Sequence, residues 1–562
     1  MAVLYFSYID YAVFTVMFGF SCIAGISLRS FKRATGSEYS SEHSPAKILP
    51  VALCLVASTL SGVSLLGFPS EIYTHGTQIS MMVISIIIMG VINNYVYLPV
   101  FYELQLRNPI DYLAIRFDGR VRKIASIFNS IGIALSLPLV IYVPSLALTQ
   151  VSGVNLNIIS TVMFLICVSY AAIVRMNTTQ WLNAFQLSIT IVTLGIVLFM
   201  GVDSVGGVST VWEKSIEGNR LEFFNMDPNP IIRCTFWSVV IGNTFSWLGF
   251  VAINPSGVQR FVSFQSMGDI RKVLFIFVAL AVVAKLVSCF SGLIMFTKYF
   301  YCDPLSMGYT KKAGEILPYF VLEVASKCPG LSGLFIAGLF GTALNTMSVA
   351  LSNIATDIFE EVIALFISRQ LSKRDINLLI TGIIITISLV SAAALQIIGR
   401  LGSLLELFQC AYGITGGPVL GLFTLGVLFP IANKKGALTG ALVSATFMTL
   451  IIIQHQIDIW NQSLIYRSRE MRTYGCDIYS FLNDSSTKIN TTIHVIQPVS
   501  YDEGFSLAKI SFHYYYFIGT FITVLIGLLV SWITHKDEDS INNYFMFSPF
   551  IHKFLRPVYI PI

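Results

Sequence analysis

The sequence predicts an all-α polytopic membrane protein of about thirteen spans, and three observations carry that expectation. Of its 562 residues, 55% are hydrophobic and only 12% charged, with a mean hydropathy of +0.74. A soluble chain would carry about a quarter charged residues, so this composition excludes an ordinary water-soluble domain. Apolar runs repeatedly reach the ~20 residues that cross a bilayer. The basic residues gather in every second loop between those runs. The net charge of +5 is modest, and basic residues confined to short clusters imply no nucleic-acid partner.

The first apolar run, Tyr11 to Ile26, follows Asp10 with no basic segment ahead of it, so it reads as a retained span and not a cleaved signal peptide. The apolar windows lie near 9–28, 51–75, 79–103, 124–149, 157–175, 180–201, 232–253, 273–299, 331–362, 376–399, 402–428, 436–456 and 511–535. Arg29, Lys32 and Arg33 follow the first window, and Arg107, Arg116, Arg120, Arg122 and Lys123 follow the third. Arg260, Arg271 and Lys272 follow the seventh, Arg369, Lys373 and Arg374 the ninth, Lys434 and Lys435 the eleventh. That alternation predicts an extracellular N-terminus and a cytoplasmic tail over 536–562. It also places the loop 457–510 outside, where three glycosylation sequons agree, at Asn461, Asn483 and Asn490. A further sequon at Asn177 falls inside and should stay unmodified. Most of the nine Cys lie in apolar runs, as small core residues. Cys302, Cys328 and Cys476 fall in outside loops, where two of them could form a disulfide.

The second window departs from the pattern. Val51 to Gln78 starts as an apolar span, then meets Ser61, Gly62, Ser64, Gly67 and Pro69 in close succession. Gly costs about 1 kcal/mol in a helix interior and Pro about 3, and carbonyls freed in lipid cost several more. Such backbone is stable at membrane depth only when buried in protein or lining a cavity. There, unwound carbonyls can hold a small cation and a half-helix N-terminus can face an anion. The stretch therefore marks the centre of a cation-coupled solute transporter, against the alternative of a Gly/Ser packing seam ending in a Pro kink.

Spans two to six and seven to eleven would then form paired repeats over about 51–201 and 232–428, inverted by their offset of five helices. The seventh span should also be interrupted, at Gly242, Asn243 and Thr244, and its Ser246 to Phe250 (SWLGF) echoes Ser64 to Phe68 (SLLGF). On the ninth span Thr342, Asn345, Thr346, Ser352, Asn353 and Thr356 share one helical face. Their oxygens suit a hard cation without burying a full charge, or else hydrogen-bond neighbouring helices. Lys285 sits at the centre of the eighth span, where a charge costs at least ~2.5 kcal/mol. Its partner is either a substrate carboxylate or a structural acid such as Glu406, with the structural role expected. Glu71 and Glu103 are expected at the membrane interfaces. No metal-ligand cluster, Gly-x-Ser-x-Gly elbow, Walker loop or HExxH is present, so neither an enzyme nor an ATP-driven pump is expected, and no cofactor.

Several longer motifs point the same way: GFPSEIYTHGTQ (67–78), YVYLPVFYEL (95–104), VIYVPSLALTQVSG (140–153), TFWS (235–238), GVQRF (257–261), and GGPVLGLFTLGVLFP with KGAL (416–438). In these the chain resembles the sodium/solute symporter family, nearest its branch of sodium-coupled monocarboxylate, multivitamin and iodide transporters. The resemblance runs from Phe6 to about Trp532. It implies a LeuT-like 5+5 inverted repeat with one extra helix before the core and two after it, in one transporter domain over 1–535. It also implies a sodium site built from the carbonyls of Ala57 and Leu60 with Thr342, Asn345 and Thr346. The implied substrate cavity is lined by Ser61, Ser64, Phe68, Tyr142 and Trp247.

Three departures stand out. Asn345 precedes Thr346 where the family has paired hydroxyls, and Asn183 in WLNAFQ replaces an acid. Pro255 and Gly257 stand where the monocarboxylate branch has Gln. The implied activity is plasma-membrane symport, by alternating access, of sodium with a small organic anion such as lactate, a short-chain fatty acid, nicotinate or a vitamin carboxylate. The alternatives on the same fold are a non-concentrative solute sensor, motivated by Asn345 and Asn183, and a sodium-independent uniporter or proton-coupled carrier, to which Lys285 would be relevant.

Overall fold

The structure, a computed structural model of the chain, describes residues 5–35, 47–106, 108–173, 180–361, 363, 372–399, 401–466, 468–476, 506–534 and 544–554. Asn177, Asn483 and Asn490 lie outside them, as do the side chains of Asn183 and Asn345. Among the described residues the ordered elements are all helical.

Helix α1 (Tyr8–Thr35) precedes a first set of helices: α2 (Ile48–Thr59), α3 (Gly62–His75), α4 (Thr77–Glu103), α5 (Gly119–Ser152), α6 (Leu156–Ile173) and α7 (Gln180–Ser204). A second set follows: α8 (Ser238–Ala252), α9 (Met267–Lys298), α10 (Leu331–Glu361), α11 (Lys373–Ile398), α12 (Leu404–Gly413) and α13 (Gly416–Leu428). Helices α14 (Lys434–Trp460) and α15 (Phe512–Ile533) close the bundle. By length and composition, 7 described helices can cross a membrane, or up to 10 spans if each bent pair counts once. The chain is a multi-pass membrane protein.

The predicted break exists and is narrow. Helices α2 and α3 meet at 63°, because Leu60 (φ −93°, ψ 78°) and Ser61 (φ −83°, ψ 164°) leave the helical region. The Leu60 N–H still closes on Val56 O, and Ser61 O accepts from Ser64 and Leu65 N–H, so each half-helix ends or starts within a residue of the bend. Beyond it, α3 runs on through Gly67 and Pro69 as helix.

The seventh span differs from expectation. It is not unwound but widened, with π-helical turns at Ser238–Gly242 and Leu248–Ala252 flanking an α-helical turn, Asn243–Trp247. A π turn shifts the backbone bond by one residue without opening the helix. A Cβ on Gly242 would collide with the carbonyl of His513, so the glycine lets the segment before α15 press against this bulge.

Helix α10 lies at the centre, packed on α1, α5, α6, α7 and α11. One buried apolar cluster joins α3, α5, α10 and the C-terminal part of α9, and a second joins α2, α4, α8 and α13. Helices α14 and α15 cross closely over Gly440, whose missing side chain admits the Thr523 carbonyl.

Outside the bundle, the segment 468–476 lies over the end of α3. Arg469 N–H donates to Thr74 O at 2.9 Å and its Nε to His75 O at 2.9 Å. A disulfide joins Cys476 to Cys302, while Cys328 is an exposed free thiol. At the other end, part of the predicted tail folds back onto the bundle. Ser548 N–H donates to Val427 O at 3.1 Å, Tyr112 Oη donates to Met546 O at 3.0 Å, and Phe547 is buried.

Candidate ion and substrate site

The bend between α2 and α3 opens on a cavity of about 240 Å³, walled by α5, α8, α9, α10 and α12 and lined also by Phe512 and His513. At the bend it is lined by Ser58, Thr59, Ser61 and Gly62. The carbonyls of Ala57, Ser58, Thr59 and Leu60 receive no backbone hydrogen bond among the described residues. Ala57 and Leu60, whose carbonyls the resemblance implied for sodium, do not line the cavity, whereas Ser58 and Thr59 between them do.

Across from the bend, Thr342 and Thr346 of α10 line the same cavity. Each hydroxyl donates into its own helix, Thr342 to Gly338 O and Thr346 to Thr342 O, both at 2.9 Å. A hydroxyl that donates backwards keeps its lone pairs forward, which is the arrangement a cation needs. Further along the predicted stripe, Ser352 is buried and Thr356 donates to Ser352 O at 2.9 Å. Neither lines the cavity, so that part of the stripe is packing.

Four of the five predicted substrate residues, Ser61, Ser64, Phe68 and Trp247, meet in the cavity. Tyr142 does not. Its hydroxyl bonds the Lys312 ammonium, which in turn donates to Gly399 O at 2.7 Å. Cavity-facing α5 residues include Ser136, Leu137 and Val140, and two residues past Val140 the helix has turned about 200°. The sequence reading missed Asn243 and Gln409, which line the cavity with Gln409 Nε2 donating to Asn243 Oδ1 at 3.0 Å.

The charged residues are sorted differently from expectation. Lys285 lines the cavity with its Nζ 4.0 Å from the Phe68 ring centroid, and Glu406 is not its partner. Glu406 instead receives Arg233 Nη1 at 3.2 Å and lies 2.9 Å from His455 Nε2. Glu71, expected near an interface, is enclosed in protein. It is 3% exposed, and Arg233 Nε and Nη2 reach its two oxygens at 2.6 and 3.1 Å. Arg233 also donates to Ser403 Oγ at 2.8 Å and stacks on Tyr466 and Phe512. Three ionic residues near the ends of three predicted spans were the available signal, although spacing alone does not pair them. Glu103 is exposed.

Residues 47–444 match the model of the sodium:solute symporter family. Sodium-coupled monocarboxylate transporter 2 of Mus musculus is 31% identical over 536 residues, covering 94% of this chain and 84% of that protein. Sodium-coupled monocarboxylate transporter 1 of Homo sapiens is 31% identical over 550 residues, covering 95% of this chain and 88% of that protein. A putative sodium-dependent multivitamin transporter of Drosophila melanogaster is 29% identical over 531 residues, covering 93% and 86%. The solved structure of a Na+-coupled sialic acid symporter superposes with a TM-score of 0.68 at 19% identity, covering 94% of this chain and 98% of that one. That likeness is one of fold, and it bears out the LeuT-like architecture.

Proposed function

We propose that this chain, which belongs to the sodium:solute symporter family and is a sodium-coupled symporter, carries a small organic anion by alternating access, a monocarboxylate first and a vitamin carboxylate next. One observation carries the coupling mechanism: Ser58 and Thr59, whose carbonyls lack backbone partners at the α2–α3 bend, line a cavity with Thr342 and Thr346, and Ala57 and Leu60 flank them. In this reading the Ala57 and Leu60 carbonyls, Thr342, Asn345 and Thr346 hold sodium, and Ser61, Ser64, Phe68 and Trp247 contact the anion. The monocarboxylate choice rests on the relatives above.

Sodium bound by these neutral oxygens favours the conformation that forms the site, and its release on the low-sodium side returns the carrier. A tenfold sodium gradient supplies about 1.4 kcal/mol, and each net charge crossing 100 mV about 2.3 kcal/mol. With one anion per sodium the potential term cancels, leaving roughly tenfold accumulation. Strongly concentrative uptake therefore calls for more than one sodium per anion. The proposed setting is the plasma membrane, with the N-terminus and the sequons at Asn461, Asn483 and Asn490 outside.

Paired flux of labelled sodium and labelled lactate in cells expressing the full chain tests this. Lactate should stimulate saturable sodium entry in a fixed ratio, with inward current if that ratio exceeds one. Lactate entry with no accompanying sodium would contradict the reading.

A further inference from the structure

We infer that Lys285 and Asn243 form the carboxylate-binding pair of this transporter, with Lys285 Nζ supplying the charge and Asn243 Nδ2 a second donor, beside the faces of Phe68 and Trp247. The inference rests on the organic-anion reading above and assigns that anion its anchor.

Lys285 is 3% exposed on α9, and among the described residues its ammonium has no hydrogen bond and no ion pair. Its Nζ lies 4.0 Å from the centroid of Phe68 and 5.7 Å from that of Trp247. A ring face offsets only part of the cost of burying an ammonium. Among the described lining residues Lys285 is the one Lys or Arg, and none is Asp or Glu. The buried acids of the outer end are already held, Glu71 and Glu406 by Arg233 and Glu406 also by His455. A sodium ion held by uncharged oxygens would add a second positive charge to this cavity. An anion is the partner that would hold this amine in its charged form.

Asn243 specifies what kind. It is 3% exposed, and its Oδ1 accepts from Gln409 Nε2 at 3.0 Å and lies 3.3 Å from His513 Nδ1. That leaves Nδ2 as a buried donor with no partner. Trp247 stands one turn inward of Asn243 on α8 and within reach of Lys285, so both donors belong to one stretch of wall. A carboxylate offers each of them an oxygen, while its apolar remainder can lie on Phe68 and Trp247. A neutral amide of the same shape lacks the charge and turns an N–H toward a donor.

The test uses full-length protein in proteoliposomes, with lactate and nicotinate each set against the corresponding amide as competitors of labelled lactate uptake. The wild type should prefer carboxylate to amide by about tenfold or more. Lys285→Met should raise the KM for lactate by roughly ten- to a hundredfold and erase that preference, with the half-saturating sodium concentration unchanged. Lys285→Arg should keep the preference, and Asn243→Ala should raise KM while keeping it. A wild type that does not discriminate, or a Lys285→Met protein with wild-type KM and preference, overturns the proposal. Should Lys285→Met fail to fold, the wild-type preference and the Asn243→Ala KM still decide. Uptake indifferent to sodium would end the coupling reading while leaving the carboxylate preference to judge this pair.

Discussion

Arg233, just ahead of α8, grips both carboxylate oxygens of Glu71 on α3, at 2.6 and 3.1 Å, and reaches Glu406 on α12 at 3.2 Å with its remaining nitrogen. One guanidinium thus ties α3, the second half of the broken helix, to the start of α8 and to α12. Its partners leave it 7% exposed, and His455 completes the group from α14. Arg233 also stacks on Phe512, which lines the cavity, so the group packs directly behind the cavity wall.

Removing the guanidinium alone should be costly, because two buried carboxylates lose their partner. Arg233→Met is expected to destabilise the protein by about 3–5 kcal/mol, read as a lower melting temperature of the detergent-solubilised chain. Replacing Arg233 and Glu71 together by apolar residues should recover much of that loss. A single variant that melts with the wild type would mean the cluster is solvated.

Thr346 donates to Thr342 O at 2.9 Å and lines the cavity beside it. Deleting one hydroxyl ligand is worth about 1 kcal/mol, so Thr346→Ala should raise the half-saturating sodium concentration about fivefold while surface expression is retained. Unchanged sodium dependence would assign the threonine to packing.

The Cys302–Cys476 disulfide closes a sequence separation of 174 residues and fastens the segment that covers Thr74 and His75. Cys302→Ser should cost about 2–4 kcal/mol of stability. In intact cells a membrane-impermeant maleimide should label Cys328 directly, whereas Cys302 and Cys476 should react only after reduction. Labelling of all three without reductant would contradict the pairing and this account of the outer face.

Met546 and Phe547 join an apolar cluster with Tyr112 and Phe423, and Arg116 stacks on Phe547 at 4.9 Å. Burying such side chains is worth about 1.5–3 kcal/mol each. Truncation after residue 543 should therefore lower the melting temperature measurably, where loss of an undocked tail would not.

The α2–α3 break was legible because Ser, Gly and Pro crowd a span that has no use for them. Its width was not, since Gly67 and Pro69 remain helical in a buried setting that offsets their local preference. The π turns of α8 had no readable signal; what the structure adds is that Gly242, in the first of them, packs against the carbonyl of His513, far along the chain. Glu71 looked interfacial from its place near a span end, whereas its burial is set by Arg233, 162 positions away. Tyr142 failed for a different reason: the family likeness marked the helix, and helical phase turned the side chain toward Lys312. Lys285 could be placed at mid-span from sequence, but the direction of its side chain needed the packing of α9 against α3.

The most direct test of the central claim is uptake of radiolabelled lactate, nicotinate and biotin into vesicles bearing the full chain, with and without an inward sodium gradient. This account predicts saturable accumulation of at least one of these carboxylates above equilibrium, collapsing when sodium is replaced by choline. Saturable uptake that is the same in both conditions, or binding without accumulation, would contradict it.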